Sequence, residues 1–101
     1  MAAKPHLTRA ARDDLDSIWR FSARNWSVRQ ANAYTRTIQE AIARLSLFPQ
    51  SGRLFGDWRP GIRILQSGDH LIVYRLADDR IEIVRILHGH MDVEGLFGSD
   101  R

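Results

Sequence analysis

The spacing of apolar residues changes once along this chain, near residue 50. Before that point apolar side chains recur every three or four positions, which is the spacing of an amphipathic helix. Beyond it they alternate or form short unbroken runs, which is typical of strands. A chain of 101 residues has room for one hydrophobic core. We therefore expect a single domain over residues 1–101, helical in its first half and a sheet in its second.

The first helix is predicted to run from a cap at Thr8 to about Asn25, after a short extended entry over residues 5–8. Asp13 and Asp14 fall near its start, where negative charge complements the helix dipole. A buried stripe at i, i+3, i+4 and i+7 spacing follows, and we expect its tryptophan to lie in the core. The stripe consists of Leu15, Ile18, Trp19 and Ser22.

The second helix has a clear start, because Ser27 and Gln30 have the spacing of a capping box. Trp26 and Ala31 could add a hydrophobic staple across it. Pro49 is expected to end the helix just after Phe48. The connection between the two helices is so short that they must fold back as an antiparallel hairpin. Its apolar stripe consists of Val28, Ala31, Thr35, Ile38, Ile42 and Leu45.

Three strands are predicted after a loop over residues 49–61. They span residues 62–66, 70–76 and 81–88, and the segments between them have the length of hairpin turns. The third strand is apolar on both faces, so we expect it inside the sheet. A short turn is expected in the tail at residues 93–97. The predicted fold is α+β, with a short N-terminal strand and an antiparallel helical hairpin packed on a C-terminal antiparallel meander.

The basic residues are almost all arginine: 14 of the 15 are Arg and Lys4 is the other. The arginine fork suits an acidic protein partner or a nucleic acid, although a GC-rich genome would also enrich arginine. The chain has no run of basic residues, and we expect no sequence-specific DNA binding by it. It has no cysteine, no secretory signal and no apolar run near the roughly 20 residues of a membrane span. These features predict a cytoplasmic protein.

Five segments of the chain, in order, resemble the RelE/ParE toxin superfamily, and its ParE branch most closely. They are residues 7–19 (LTRAARDDLDSIW), 45–53 (LSLFPQSGR), 60–65 (PGIRIL), 68–75 (GDHLIVYR) and 81–89 (IEIVRILHG). The resemblance implies a helical hairpin on a sheet and a ParD-type antitoxin that forms a hetero-oligomer with the toxin. It also implies DNA gyrase as the target, whereas the RelE-like branch cleaves mRNA on the ribosome. Fold alone does not choose between these activities.

Ribonuclease chemistry has candidate residues here but an incomplete set. Arg63, Arg75 and Arg85 lie on adjacent predicted strands and could surround a phosphate, and His88 or His90 could exchange protons. RelE-like ribonucleases, however, resemble one another in a Tyr or His–Tyr pair near the end of the last strand, with Lys or Glu from the sheet. This chain has no tyrosine near the end of the last strand, and Tyr74 lies in the middle of a strand instead. The predicted strands also contain no lysine. We expect binding without catalysis, with an mRNA interferase using Arg63, Arg85 and His88 as the alternative. A degenerate toxin that only binds its antitoxin is the third reading.

We expect neither a metal nor a cofactor. His88 and His90 would need two more ligands, and only Asp92, Glu94 or His70 could supply them. His6 is expected to be a surface residue.

The expected contacts are with proteins. Trp58 lies beside Arg59 in a polar loop, a pairing that binding hot spots use. We predict that the antitoxin is bound by a set of arginine and tryptophan side chains and the target by the end of the last strand. The first set is Arg20, Arg24, Trp26, Arg29, Trp58 and Arg59, and the second is Arg85, His88, His90 and Met91.

Overall fold

The computed structural model describes residues 4–55 and 61–89. Two antiparallel helices form the first half of the fold: α1 (Arg9–Asn25) and α2 (Val28–Arg44). The predicted caps are confirmed. The Thr8 side chain accepts a hydrogen bond from the backbone N–H of Ala11, and that of Ser27 accepts one from the N–H of Gln30. Each cap satisfies a backbone donor that the first helical turn leaves without a partner.

Helix α2 ends earlier than its apolar stripe predicts. It stops at Arg44 rather than near Phe48, because the next residues make tighter turns. The N–H groups of Leu45 and Ser46 bond to carbonyls three residues back, at Ile42 and Ala43. Leu45 is nevertheless buried as predicted. A buried side chain at helical spacing therefore does not guarantee that the backbone is still helical.

The second half of the chain forms a five-stranded sheet with the order β1-β5-β4-β3-β2. Its strands are β1 (Pro5–Leu7), β2 (Arg53–Leu54), β3 (Ile62–Ser67), β4 (His70–Ala77) and β5 (Arg80–His88). The last three form the predicted antiparallel meander. β1 pairs parallel with β5, so that β5 lies inside the sheet as expected. The short strand β2, which pairs with β3, was predicted as loop.

Buried side chains cover both faces of the sheet. The helices pack on one face, where Ile38 and Ile42 of α2 meet Ile72 and Tyr74 of β4. A smaller cluster on the other face includes Val73. The predicted α+β architecture is confirmed. Within the described residues, neither helix is long and apolar enough to cross a membrane.

The prediction that Trp19 lies in the core is wrong. Trp19 is only half-buried, because it lies along the seam between the helices, where its indole N–H donates to Oδ1 of Asn32 at 2.8 Å. Trp26 packs edge to face on Phe21, with ring centroids 6.0 Å apart, and remains largely exposed. Its ring therefore contacts the end of α1, and the staple with Ala31 stays a prediction.

Asp14 also has a different role from the one predicted. It lies beyond the first turn of α1, so it does not complement the positive end of the dipole. Its carboxylate instead accepts two hydrogen bonds from Arg85, at 2.7 and 2.9 Å, and one from the backbone N–H of Ile86 at 2.9 Å. β1 pairs with β5 only as far as Ile83, so Asp14 satisfies an edge N–H beyond that point.

Candidate functional site

An open groove of about 560 Å³ lies where the turn of the helical hairpin meets one end of the sheet. The end of α1 and the start of α2 form one wall. The β3–β4 turn and the end of β5 form the other. Its lining includes Ile18, Phe21, Trp26, Tyr34, His70 and His88.

The helical wall of the groove is aromatic and exposed. Phe21 is 57% exposed and Trp26 is 66% exposed, although each ring packs on the other. Two neighbouring aromatic side chains open to solvent form the kind of patch that marks a protein-binding surface. The helical hairpin holds them in place, since Phe21 is in the last turns of α1 and Trp26 is its C-cap.

The sheet side of the groove contains a polar cluster that links α2, β4 and β5. The hydroxyl oxygen of Tyr34 lies 2.7 Å from Nδ1 of His70 and accepts the backbone N–H of Asp69 at 3.0 Å. The His70 ring meets the His88 ring edge to face, at a centroid distance of 5.4 Å. The cluster therefore joins α2 to two strands that follow it by more than 30 residues in sequence.

Gly68 makes this approach possible. Its φ is +60°, a conformation that glycine adopts readily. A Cβ atom at this position would lie 2.8 Å from the Tyr34 hydroxyl. The turn between β3 and β4 thus needs glycine for two independent reasons.

Burial favours the neutral forms of both groups at the centre of the cluster. It raises the pKa of Tyr34, and it lowers the pKa of His70, which the neighbouring His88 lowers further. Near neutral pH Tyr34 is a phenol and His70 is an uncharged imidazole. The Tyr34–His70 pair at the base of the groove is therefore hydrogen-bonded and uncharged, and Asp69 is the acidic residue among the described residues of the lining.

The strand arginines predicted to surround a phosphate are not gathered together. The guanidinium of Arg63 donates to the carbonyls of Gln50 and Gly52, at 3.2 and 2.7 Å. Arg75 pairs with Glu82 at 2.7 Å. Arg85 is held by Asp14, which raises the pKa of its guanidinium.

The register of the strands explains this separation. Arg63 is the cross-strand partner of Tyr74, so Arg75, the next residue, points to the opposite face of the sheet. His88 pairs with His70, four residues along β4 from Tyr74. This places His88 roughly 13 Å along the strand direction from Arg63. The predicted ribonuclease set of Arg63, Arg85 and His88 therefore does not form one site.

Comparison with known proteins identifies the family. The model of the ParE toxin of the type II toxin–antitoxin system parDE matches residues 6–93. This chain belongs to the ParE toxin family. Toxin ParE1 of Mycobacterium tuberculosis is 39% identical over 95 residues, which cover 93% of this chain and 97% of the relative. Toxin ParE1 of Caulobacter vibrioides is 38% identical over 96 residues, covering 94% and 99%.

A solved structure supports the fold of this ParE-family chain. It is described as the chromosomal ParDE TA system from P. aeruginosa and superposes with a TM-score of 0.76. The match covers 86% of this chain and 96% of that one, at 24% identity. At this identity the similarity bears on the fold alone.

The predicted antitoxin-binding residues of this ParE-family chain are distributed around the hairpin. Trp26 lines the groove. Arg20 and Arg24 are exposed on α1, and Arg20 pairs with Asp16. Arg29 lies on the outer surface of α2, beside Val28. Trp58 and Arg59 fall outside the described residues.

The predicted target-binding residues are also dispersed. Arg85 forms an ion pair with Asp14, and His88 lines the same groove as Trp26. His90 and Met91 lie outside the described residues. The structure thus places one residue of each predicted set, Trp26 and His88, around a single groove.

Sequence reasoning missed Phe21 and Tyr34 and considered His70 only as a metal ligand. Phe21 and Tyr34 each precede a buried stripe residue, Ser22 and Thr35, by one position. Both are large aromatic residues at the border of a buried helical stripe, and they lie on the two helices of one hairpin. This pattern could have identified them. His70 had no such signal, because its position depends on the packing of α2 on the sheet.

The groove has the chemistry of a binding surface more than that of a nuclease site. Tyr34, His70 and His88 could exchange protons, but phosphate cleavage also needs cations. Among the described residues that line the groove there is no arginine or lysine. No cluster of His, Cys, Asp and Glu suited to a metal occurs among the described residues. What the groove offers is apolar and aromatic area.

Proposed function

We propose that this chain is the toxin of a type II toxin–antitoxin pair, that a ParD-type antitoxin neutralises it by covering the groove, and that it inhibits DNA gyrase by binding rather than by catalysis. It would act in the cytoplasm and be held there in a hetero-oligomer with its antitoxin. Membership of the ParE family supports the toxin role. The single observation that carries the binding site is the exposed Phe21–Trp26 pair on the groove wall.

The groove fits an amphipathic helix of the antitoxin. Its wall is apolar and aromatic, and a helix in a groove is anchored by a few apolar side chains at helical spacing. Arg20, Arg24 and Arg29 surround this end of the hairpin, so acidic residues on the outer face of the antitoxin helix would be attracted to it. We assign Trp26 and Phe21 as anchors, and Trp58 and Arg59 remain predicted contacts.

Antitoxin binding is tested with Trp26→Ala and Phe21→Ala. Each variant should weaken the toxin–antitoxin complex at least about tenfold, as expected for a central aromatic anchor. Val28→Ala is the matched control, since Val28 is also an exposed apolar residue at this end of α2 but lines its outer surface. Calorimetry with the antitoxin from the neighbouring reading frame gives the dissociation constants. Equal affinities for the wild type, Trp26→Ala and Phe21→Ala would refute the groove as the binding site.

The target is tested by comparing two activities of the free toxin. Supercoiling by purified gyrase should be inhibited, and added antitoxin should relieve that inhibition. Ribosome-bound mRNA should remain uncut. Cuts at codon positions would support the mRNA interferase instead, and the absence of both effects would support a degenerate toxin. His88, His90 and Met91 remain predicted target contacts at the end of the last strand.

A further inference from the structure

The segment that joins α2 to the sheet, residues 48–52, is held rigidly by two side chains of the sheet. Tyr74 is fully buried, and its hydroxyl accepts the N–H of Gly52 and donates to the carbonyl of Pro49, both at 2.8 Å. Arg63 donates to the carbonyls of Gln50 and Gly52. Four hydrogen bonds from one side of the sheet therefore fix the backbone of this short connection.

Large apolar side chains in and beside this connection are exposed to solvent. Leu47 is 69% exposed, Phe48 is 62% exposed and Leu54 is 58% exposed. Single exposed apolar residues are ordinary on a protein surface, but three within eight residues form a patch. Connections are normally polar, and holding such a patch in one conformation lowers the entropic cost of binding a partner. We call residues 47–54 the connection surface.

The charge around the connection surface is positive. Arg44 precedes it, Arg53 lies within it, and both are exposed. Residues 41–55 contain these two arginines and no aspartate or glutamate. A partner that complements this surface has acidic residues around an apolar recess.

The connection surface is separate from the groove. The groove lies at the start of α2, and the connection surface follows its end, 17 residues later. A helix of that length spans about 25 Å. An antitoxin helix seated beside Trp26 would leave Phe48 and Leu54 uncovered at the far end of α2.

We infer that the connection surface is a second interaction surface, which docks an acidic protein surface with an apolar recess, and that the toxin engages its target through it. This inference rests on the proposed function, because it adds a gyrase contact that is distinct from the antitoxin groove and from the predicted contacts at the end of the last strand. Phe48 and Leu54 act as apolar anchors. Arg44 and Arg53 steer the acidic partner.

The test measures two affinities for the same variants. Phe48→Ala/Leu54→Ala should weaken inhibition of purified gyrase at least about tenfold and leave antitoxin affinity unchanged. Arg44→Glu/Arg53→Glu changes only exposed side chains and should weaken inhibition as well, and its retained antitoxin affinity shows that it folds. Inhibition by the wild type should also weaken as ionic strength rises. Trp26→Ala provides the reverse control, with antitoxin affinity reduced and gyrase inhibition retained.

The outcomes separate this inference from the proposed function. If the wild type does not inhibit gyrase, the proposed target is wrong and the inference fails with it. If the wild type inhibits and both double variants inhibit equally well, the inference alone is wrong. A misfolded apolar variant would lose antitoxin affinity too, and the charge-reversal variant then decides the question.

Discussion

The hydroxyl oxygen of Tyr34 lies 2.7 Å from Nδ1 of His70 and accepts the N–H of Asp69. A tyrosine hydroxyl has one proton to donate. If it donates that proton to Nδ1 while it accepts the Asp69 N–H, then the hydroxyl, the imidazole nitrogen and the N–H each have a hydrogen-bond partner. We therefore predict that neutral His70 carries its proton on Nε2. Nitrogen-15 NMR of the imidazole should show this tautomer, and a proton on Nδ1 would contradict the prediction. Tyr34→Phe should populate both tautomers and lower the free energy of unfolding by about 1 kcal/mol.

The same histidine should make stability depend on pH. Burial lowers its pKa in the folded state below the ordinary 6.5, with His88 adding to the effect and Asp69 and Asp14 opposing it. The unfolded chain therefore takes up this proton first as the pH falls. His70 contributes its full stability above pH 6.5 and loses it as the pH falls from there through the lowered folded pKa.

Chemical denaturation at pH 7.5 and at pH 5 measures this dependence. His70→Gln should lose less stability between the two values than the wild type, because glutamine does not titrate. His6→Gln is the matched control, since His6 is exposed on β1, and it should keep the wild-type dependence. An equal loss of stability in the wild type and His70→Gln would exclude His70 as the source.

Gly52 and Tyr74 should be energetically coupled. A Cβ atom at Gly52 would lie 2.7 Å from both Cε1 and the hydroxyl of Tyr74, whose buried ring has little room to move. Gly52→Ala should cost about 1–3 kcal/mol of stability through overpacking. Tyr74→Phe should cost a similar amount, because it leaves the buried N–H of Gly52 without this acceptor.

A double-mutant cycle distinguishes this coupling from two independent losses. The combined variant Gly52→Ala/Tyr74→Phe should be less destabilised than the sum of the single variants, since removal of the hydroxyl relieves part of the overlap. Urea denaturation of the four proteins gives the coupling energy. A value of zero would show that the two residues do not constrain each other.

Two aspartates on α1 should differ strongly in their effect on stability. Asp14 receives Arg85 and the N–H of Ile86 in a partly buried place, whereas Asp16 pairs with Arg20 on the surface. Asp14→Ala should cost about 1–3 kcal/mol, because it leaves two donors without their partner. Asp16→Ala should cost about 0.3–0.5 kcal/mol, as exposed pairs at this spacing do. Thermal denaturation would contradict the assignment if the two variants were equally stable.

Local patterns account for the parts of the fold that were predicted correctly. The caps at Thr8 and Ser27 and most of both helical stripes depend on residues within a few positions of one another. Val28 departs from the predicted stripe of α2, since it is largely exposed. The strand β2 has only two residues, too few to show any alternation. Asp14 was misassigned because its partner Arg85 is 71 residues away.

The groove was largely beyond sequence reasoning. Trp26 and His88 were identified separately, but nothing local indicates that packing brings them around one space. The prediction that the strand arginines surround a phosphate failed for a related reason. A shift of one residue in strand register moves a side chain to the other face, and register is set by the assembled sheet. Arg63 and Arg75 consequently point away from each other.

The parallel pairing of β1 with β5 affects when the fold can be completed during synthesis on the ribosome. The Thr8 side chain bonds to the carbonyl of Val84, a residue made 76 positions later. The helical hairpin is therefore synthesised well before β5, the strand that completes the sheet. Until β5 is made, Ile18 and Ile38 lack part of the apolar surface that buries them. We expect the nascent chain to lack its complete core until β5 has emerged, so that the order of synthesis delays the folded toxin.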